Sequence, residues 1–172
     1  MGLGISNFDD ELDDCLTINA KKIPEINNAC LIKLTGYIDT YNSAFFQRKT
    51  DILLEAGYCN FILDCSELNY ISSTGIGSLA SFLRNTQTKN GHLVLVSLQD
   101  SVHEVFVILG FTQFFTVKDS QDEALKELGH NCIRIDFPRY DTPTGKIVGG
   151  AYLGKEEICK SFFKEGAVNV DP

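Results

Sequence analysis

Two short apolar runs constrain the fold of this chain more than any other feature. Phe61-Ile62-Leu63-Asp64-Cys65 and His92-Leu93-Val94-Leu95-Val96-Ser97-Leu98 are nearly continuous in apolar residues. A strand with one wet face would alternate; a strand buried on both faces would not. Each run is followed by a helical pattern. A buried strand that feeds a helix is the repeating unit of a parallel sheet.

The neighbouring segments fit that unit. Cys15–Ala20 alternates in part and reads as a short strand, and Cys30–Ile38 reads as another. The Ile23–Asn28 stretch between them resembles a turn, so a hairpin is expected. A helix should follow, capped by Asp39 or Thr40, with Phe45, Ile52 and Ala56 inward and Gly57 as its stop. Residues 74–89 form the next helix, burying Ile76, Leu79, Ala80 and Leu83 while Arg84, Gln87 and Lys89 face water. Residues 101–109 make a short helix with Val102, Val105, Phe106 and Leu109 inward, ended by Gly110. Phe114–Val117 reads as a brief strand. Ser120 and Glu123 then form a capping box for a last helix, in which Ala124, Leu125 and Leu128 face the core and Gly129 ends the helix. The fold class expected is therefore α/β, a mixed sheet with about four helices.

The domain plan has three parts. Residues 1–13 read as an acidic, solvated arm, 14–130 as the domain, and 131–172 as an extension of unread role. The formal charge is −8 from 15 basic and 23 acidic residues. Acidity of that sign repels phosphate backbones, so direct nucleic-acid binding is not expected. No stretch approaches the ~20 apolar residues of a membrane span. The amino end lacks the basic-then-apolar layout of a signal peptide. Six cysteines are present, none as C-x-x-C, and Cys30, Cys59 and Cys65 lie in or beside apolar runs. They read as reduced structural residues of a cytoplasmic protein.

Tyr70-Ile71-Ser72-Ser73-Thr74-Gly75-Ile76-Gly77-Ser78 crowds hydroxyls and glycines onto one strand-to-helix junction. Ser72 or Ser73 can cap the helix, contributing about 1 kcal/mol. Gly75 and Gly77 are not needed for a cap, since glycine inside a helix costs about 1 kcal/mol against alanine. The local chemistry leaves two readings open, a capped helix or a bare surface for another molecule. Catalytic readings fit poorly. A nucleophile elbow needs a glycine two residues before the serine. A P-loop needs Gly-Lys-Ser/Thr, and the dinucleotide fingerprint fails at Ala80. His92, His103 and His130 form no triad pattern. Asp64 ends a central strand, as in phosphate-accepting receiver domains, but the acidic pair and the later lysine of that site are missing. Asp64 is expected to hydrogen-bond the following loop.

Taken in order, three stretches resemble the STAS domain, and within it the bacterial anti-sigma factor antagonists. Leu31–Phe46 resembles the family's strand, Gly-x-Leu/Ile-Asp, first-helix entry. Asn60–Leu79 resembles its apolar strand, Asp, loop and Asp-Ser-Ser/Thr-Gly-Leu-Gly stretch. Gly91–Leu125 resembles its closing strand, short helix and Glu-Ala-Leu helix. The resemblance implies a partner-switching regulator of transcription rather than an enzyme, with no cofactor and no metal. It places Ser73 on the family's phosphorylated serine, with Ser72 and Thr74 as lesser acceptors. Ser72, Ser73, Thr74, Gly75, Ile76 and Gly77 fall on the partner-binding stretch. The implied partner is an anti-sigma factor with serine kinase activity and a histidine-kinase-like ATPase fold. The chain departs from the best-known members at Ser72, where they carry aspartate. Two other functions stand beside this one: a phosphorylation-independent scaffold or sensor subunit of a larger assembly, and a small-ligand domain.

Overall fold

The computed structural model describes Leu3, Ile5, Phe8 and residues 11–131. Among these residues the order is β1 (Leu16–Lys22), β2 (Ala29–Ile38), α1 (Ser43–Glu55), β3 (Asn60–Ile71), α2 (Ser73–Thr88), β4 (His92–Val96), α3 (Asp100–Ile108), β5 (Thr116–Lys118) and α4 (Gln121–Asn131). The sheet order is β1-β2-β3-β4-β5. β1 and β2 form the expected antiparallel hairpin, and the pairs from β2 to β5 are parallel. The mixed α/β architecture is the one the sequence implies. The expected extension lies, from residue 132 on, outside the described residues.

Strand register sorts the side chains. Cys30, Ile32 and Leu34 of β2 are fully buried, while Leu31, Lys33 and Thr35 between them are half-exposed. Phe61 and Leu63 of β3, with Leu93 and Leu95 of β4, sit in register beside them and complete one inner face. α1 adds Phe46 and Leu53 to this core, and α2 adds Ile76, Leu79 and Phe82. The Phe82 ring meets Phe46 edge-on at 6.2 Å between centroids and Phe61 at 4.8 Å. On the other face Ile62, Val94 and Val96 are buried. There Gln121 of α4 donates from Nε2 to Asp64 Oδ2 at 2.8 Å. Asp64 Oδ1 also accepts from Ser66 N at 3.0 Å, the loop-holding role expected of it, though within a strand.

Several expectations need correction. β3 does not stop at Cys65. Its polar continuation, Ser66–Tyr70, stays paired with β2 as far as Ile71. Two register shifts, after Lys33 and after Gly36, each absorb one extra β3 residue. Bulges of this kind bend a strand and unpair it locally. β4 ends opposite Asp64, so the far edge of β3 is met instead by Gln99 Nε2 donating to Ser66 O and by Ser101 Oγ donating to Asn69 O.

α1 is entered through Asn42, not capped by Asp39 or Thr40. Its inward stripe runs through Phe46, Lys49, Thr50 and Leu53; Ile52 is half-buried and Ala56 exposed. Phe45 is buried as expected, so the departure lies in the second half of the helix. On α2, Ile76 and Leu79 are buried as expected, Ala80 and Leu83 are half-buried against the core, and Phe82 is buried in addition. Leu109 of the α3 end is exposed, not inward. Gly57 and Gly110 end α1 and α3 in the left-handed region, as expected. α4 continues through Gly129 to Asn131. At its start Ser120 Oγ accepts from Glu123 N, but Glu123 Oε2 reaches back to Asp119 N rather than to the N–H of Ser120.

The expected solvated arm is also corrected. Phe8 is only 5% exposed, and Leu3 and Ile5 pack against the core. Lys49 Nζ, itself buried, donates to the Phe8 carbonyl and lies 5.0 Å and 5.2 Å from the Phe8 and Phe45 ring centroids. A buried ammonium needs such partners to offset its lost hydration. Cys30 and Cys65 are buried; burial pushes the Cys30 thiol up to about 12 and raises that of Cys65 as well. Both are unreactive core thiols, in line with the structural reading.

Candidate functional site

The carboxyl ends of β2 and β3 lie side by side, with Ile38 and Ile71 in register and fully buried. Both chains turn there into helices. Ser72 N donates to Ile38 O at 2.8 Å, which locks the two exits together. Ser72 then takes extended dihedrals, and its Oγ accepts from Gly75 N at 3.1 Å. Of the two candidate caps, Ser72 is the one used.

That choice frees its neighbour. Ser73 is the first residue of α2, it is exposed, and its hydroxyl has no hydrogen-bond partner among the described residues. Thr74 is exposed too, its Oγ1 3.2 Å from Thr40 Oγ1 in the β2–α1 loop. The two glycines have different jobs. A Cβ on Gly75 would stand 2.8 Å from Ile38 Cγ2, 2.9 Å from Ile38 O and 2.9 Å from Ile71 Cγ1. Gly75 therefore lets α2 approach the sheet. Gly77 is exposed, with nothing within 4 Å of such a Cβ. Ile76 is fully buried in the core. The expectation that Gly75 and Ile76 belong to the partner-facing surface is thus corrected: helical periodicity turns both inward, and Ser73, Thr74 and Gly77 outward.

The adjoining loop is self-satisfied. Asp39 Oδ1 accepts from Tyr41 N at 2.7 Å and Asn42 N at 3.1 Å. Asn42 is only 3% exposed; its Oδ1 accepts from Asp39 N and its Nδ2 donates to Tyr37 O, both at 2.9 Å. Three tyrosines stand out at this end: Tyr41 is 94% exposed, Tyr70 52% and Tyr37 37%. The sequence reading passed over them, because tyrosines at strand ends and loops normally need no explanation. Their one sequence signal is position: Tyr37 and Tyr41 flank Ile38-Asp39-Thr40, and Tyr70 stands two residues before Ser72. The Cys15 thiol, with help from Asp39 and Asp13, pushes the Tyr37 phenol above its ordinary value.

The electrostatics are simple. Between Leu34 and Gln47 the one charged side chain is Asp39, and between Ser66 and Leu83 it is Glu67. The amino end of α2 carries the positive end of its helix dipole and no acidic residue in its first turn. Elsewhere, the His92 imidazole is held below its ordinary value by burial, and His103 and His130 are exposed. Among the described residues no group of three or more His, Cys, Asp or Glu side chains can hold a metal ion. None of their helices is long and apolar enough to cross a membrane.

The pattern of a parallel sheet with a hydroxyl-rich helix start has relatives. The STAS domain model matches residues 17–124. This chain belongs to the STAS domain family. It is 29% identical over 100 residues to anti-sigma factor antagonist BtrV of Bordetella bronchiseptica, spanning 58% of this chain and 86% of that protein. Solved structures show the same fold. An anti-sigma factor antagonist from Thermotoga maritima superposes with a TM-score of 0.58 at 21% identity, covering 64% of this chain and 93% of that one. The anti-sigma factor antagonist SpoIIAA in its unphosphorylated form gives 0.55 at 18% identity, covering 64% and 95%.

Proposed function

We propose that this STAS domain is a partner-switching regulator of the anti-sigma factor antagonist type. Unphosphorylated, it binds an anti-sigma factor that is also a serine kinase with a histidine-kinase-like ATPase fold, and so frees a sigma factor for transcription. Transfer of a phosphoryl group to Ser73 Oγ releases it. The observation that carries this reading is the division of labour at the α2 start: Ser72 does the capping, and the Ser73 hydroxyl is exposed and uncommitted.

The switch needs no change of fold. A phosphoserine adds about 1.5 to 2 negative charges. The helix terminus accepts them, returning about 0.3–1 kcal/mol. A bound partner would have to strip water from that charge. With no cation placed to receive it, such burial costs several kcal/mol, and each ~1.4 kcal/mol is tenfold in affinity. No Lys or Arg of this chain lies between residues 66 and 83 to neutralise the phosphate from its own side.

The test is direct. Each histidine-kinase-like serine kinase of the source organism is incubated with the full chain and Mg-ATP, followed by residue-level mass spectrometry. Phosphate on Ser73, with loss of kinase binding, is the expected result. Absence of phosphate at Ser72, Ser73 and Thr74 with every kinase sinks the switch. One observation favours a second reading: serine stands at position 72, where the best-known antagonists carry aspartate. A phosphorylation-independent scaffold would bind its partner equally well as Ser73→Asp.

A further inference from the structure

We infer that the open edge of β1 is a self-association surface. On it, β1 of a second copy of this chain pairs antiparallel, about a two-fold axis at Asn19, and continues the sheet. No residue of β1 belongs to the Ser73 surface, so a chain that stays single would leave the switch untouched.

β1 has β2 on one side and no strand on the other. Its register against β2 runs without a shift from Leu16 to Lys22. Tyr37 N donates to Cys15 O at 3.1 Å, and Ile23 N to Ala29 O at 3.0 Å. In an antiparallel ladder every second residue makes such bonds. Thr17, Asn19 and Lys21 therefore turn their backbone groups to β2, and Leu16, Ile18, Ala20 and Lys22 turn theirs to the open edge. The Leu16 N–H is taken there by Asp13 Oδ1 at 2.9 Å. The N–H and C=O groups of Ile18, Ala20 and Lys22 have no hydrogen-bond partner among the described residues. The described part of the preceding segment goes to α1 instead, where Glu11 pairs with Arg48 and the Phe8 carbonyl accepts from Lys49.

An edge of this kind is a template for another strand, and proteins guard it with short length, proline, bulges or charge. The opposite edge, β5, is three residues long; β1 is seven, with no proline and no bulge. Its charges sit at the two ends and differ in sign. Asp13 and Asp14 precede it, and Lys21 and Lys22 close it. Asp14, Lys21 and Lys22 are exposed and form no ion pair among the described residues. A parallel neighbour would set acid beside acid and lysine beside lysine. An antiparallel copy sets each lysine end against the acidic end of the other, so the strand is complementary to itself. The same groups give the register. With Asn19 on the axis, Ile18 of each copy faces Ala20 of the other and Leu16 faces Lys22, so the open backbone groups meet in pairs. Ile18 and Ala20, half-buried at the rim of the core, then pack together across the seam. Lys22 comes diagonally beside Asp14 of the second copy.

The experiment is sedimentation velocity on the full chain from low to high micromolar concentration. The mass is expected to rise from one chain to two. Ala20→Pro removes an edge donor and spares the ladder to β2, so it should hold the chain at one copy. If that variant does not fold, Lys22→Glu decides. It sets an acid beside Asp14 of the second copy and should weaken the dimer about tenfold, since two exposed pairs turn from attraction to repulsion. Its thermal melt at low concentration should match the wild type. Adding Asp14→Lys to Lys22→Glu exchanges the signs and should recover most of the loss. Adding Glu104→Lys, which restores the same net charge from the exposed face of α3, should not. A chain that stays single at every concentration overturns the edge pairing. So does equal recovery with Glu104→Lys, or a dimer that Lys22→Glu leaves unchanged, which would put the contact elsewhere, as on the exposed Val107, Ile108 and Phe114.

Discussion

Two strand-to-helix junctions lie side by side in this domain, and they solve the same problem differently. At β2–α1 the chain spends four residues, and Asp39 and Asn42 bind each other's backbone and that of Tyr37 and Tyr41. At β3–α2 it spends one residue, Ser72, with one side-chain bond to Gly75 N. The first junction consumes its polar groups; the second leaves the next hydroxyl, that of Ser73, unused. The modification and partner burial proposed for Ser73 would fall at the junction with polar capacity to spare. The two junctions touch through the Thr40 and Thr74 hydroxyls, 3.2 Å apart.

The strongest way to break this comparison is at Asn42. Its side chain is buried and serves two backbone groups that no other side chain satisfies. Asn42→Ala should destabilise the domain by about 3 kcal/mol, because buried partners left unpaired each cost about 1–3 kcal/mol. Urea unfolding would measure it. A loss below that of an ordinary surface substitution would show that the loop is not held as a unit.

The contrast also explains what the sequence made legible. The runs around Leu63 and Leu95 declared the parallel sheet, because strands buried on two faces tolerate little that is polar. The hydroxyl cluster declared the candidate site. The second half of β3 stayed hidden: Ser66–Tyr70 is polar, lies at an edge, and is bulged, so no period-2 pattern survives. The α1 cap was misplaced because Asp39 and Asn42 both favour caps, and only the loop's wound geometry decides between them. Phe8 is hidden within an acidic segment, because net charge over residues 1–13 says nothing about one aromatic ring. Gly75 and Gly77 look alike in sequence; their difference is one of helical phase against Ile38 and Ile71.

That phase gives the next prediction. Gly75→Ala pushes a methyl to within 3 Å of Ile38 and Ile71, so it should cost about 1–3 kcal/mol through overpacking. Gly77→Ala meets nothing, and relief of backbone entropy should stabilise by about 0.5–1 kcal/mol. Paired thermal melts give opposite signs if α2 sits as described. Equal effects would mean that the two glycines share one role.

The smallest effects test the division of labour itself. Ser72→Ala removes the bond to Gly75 N and should cost about 1 kcal/mol. Ser73→Ala removes a hydroxyl without a partner and should stay within about 0.5 kcal/mol of the wild type. Ser73→Asp places a carboxylate on the first residue of α2, where the dipole should return about 0.3–1 kcal/mol. Under the proposed switch Ser73→Asp abolishes partner binding, yet it is expected to melt at or slightly above the wild-type temperature. That combination would separate a switch from damage, since the fold would accept charge at Ser73 and only the partner would refuse it. If Ser73→Asp instead lowers the melting temperature as much as Ser72→Ala, the hydroxyl is structural, and loss of binding would report a broken helix start.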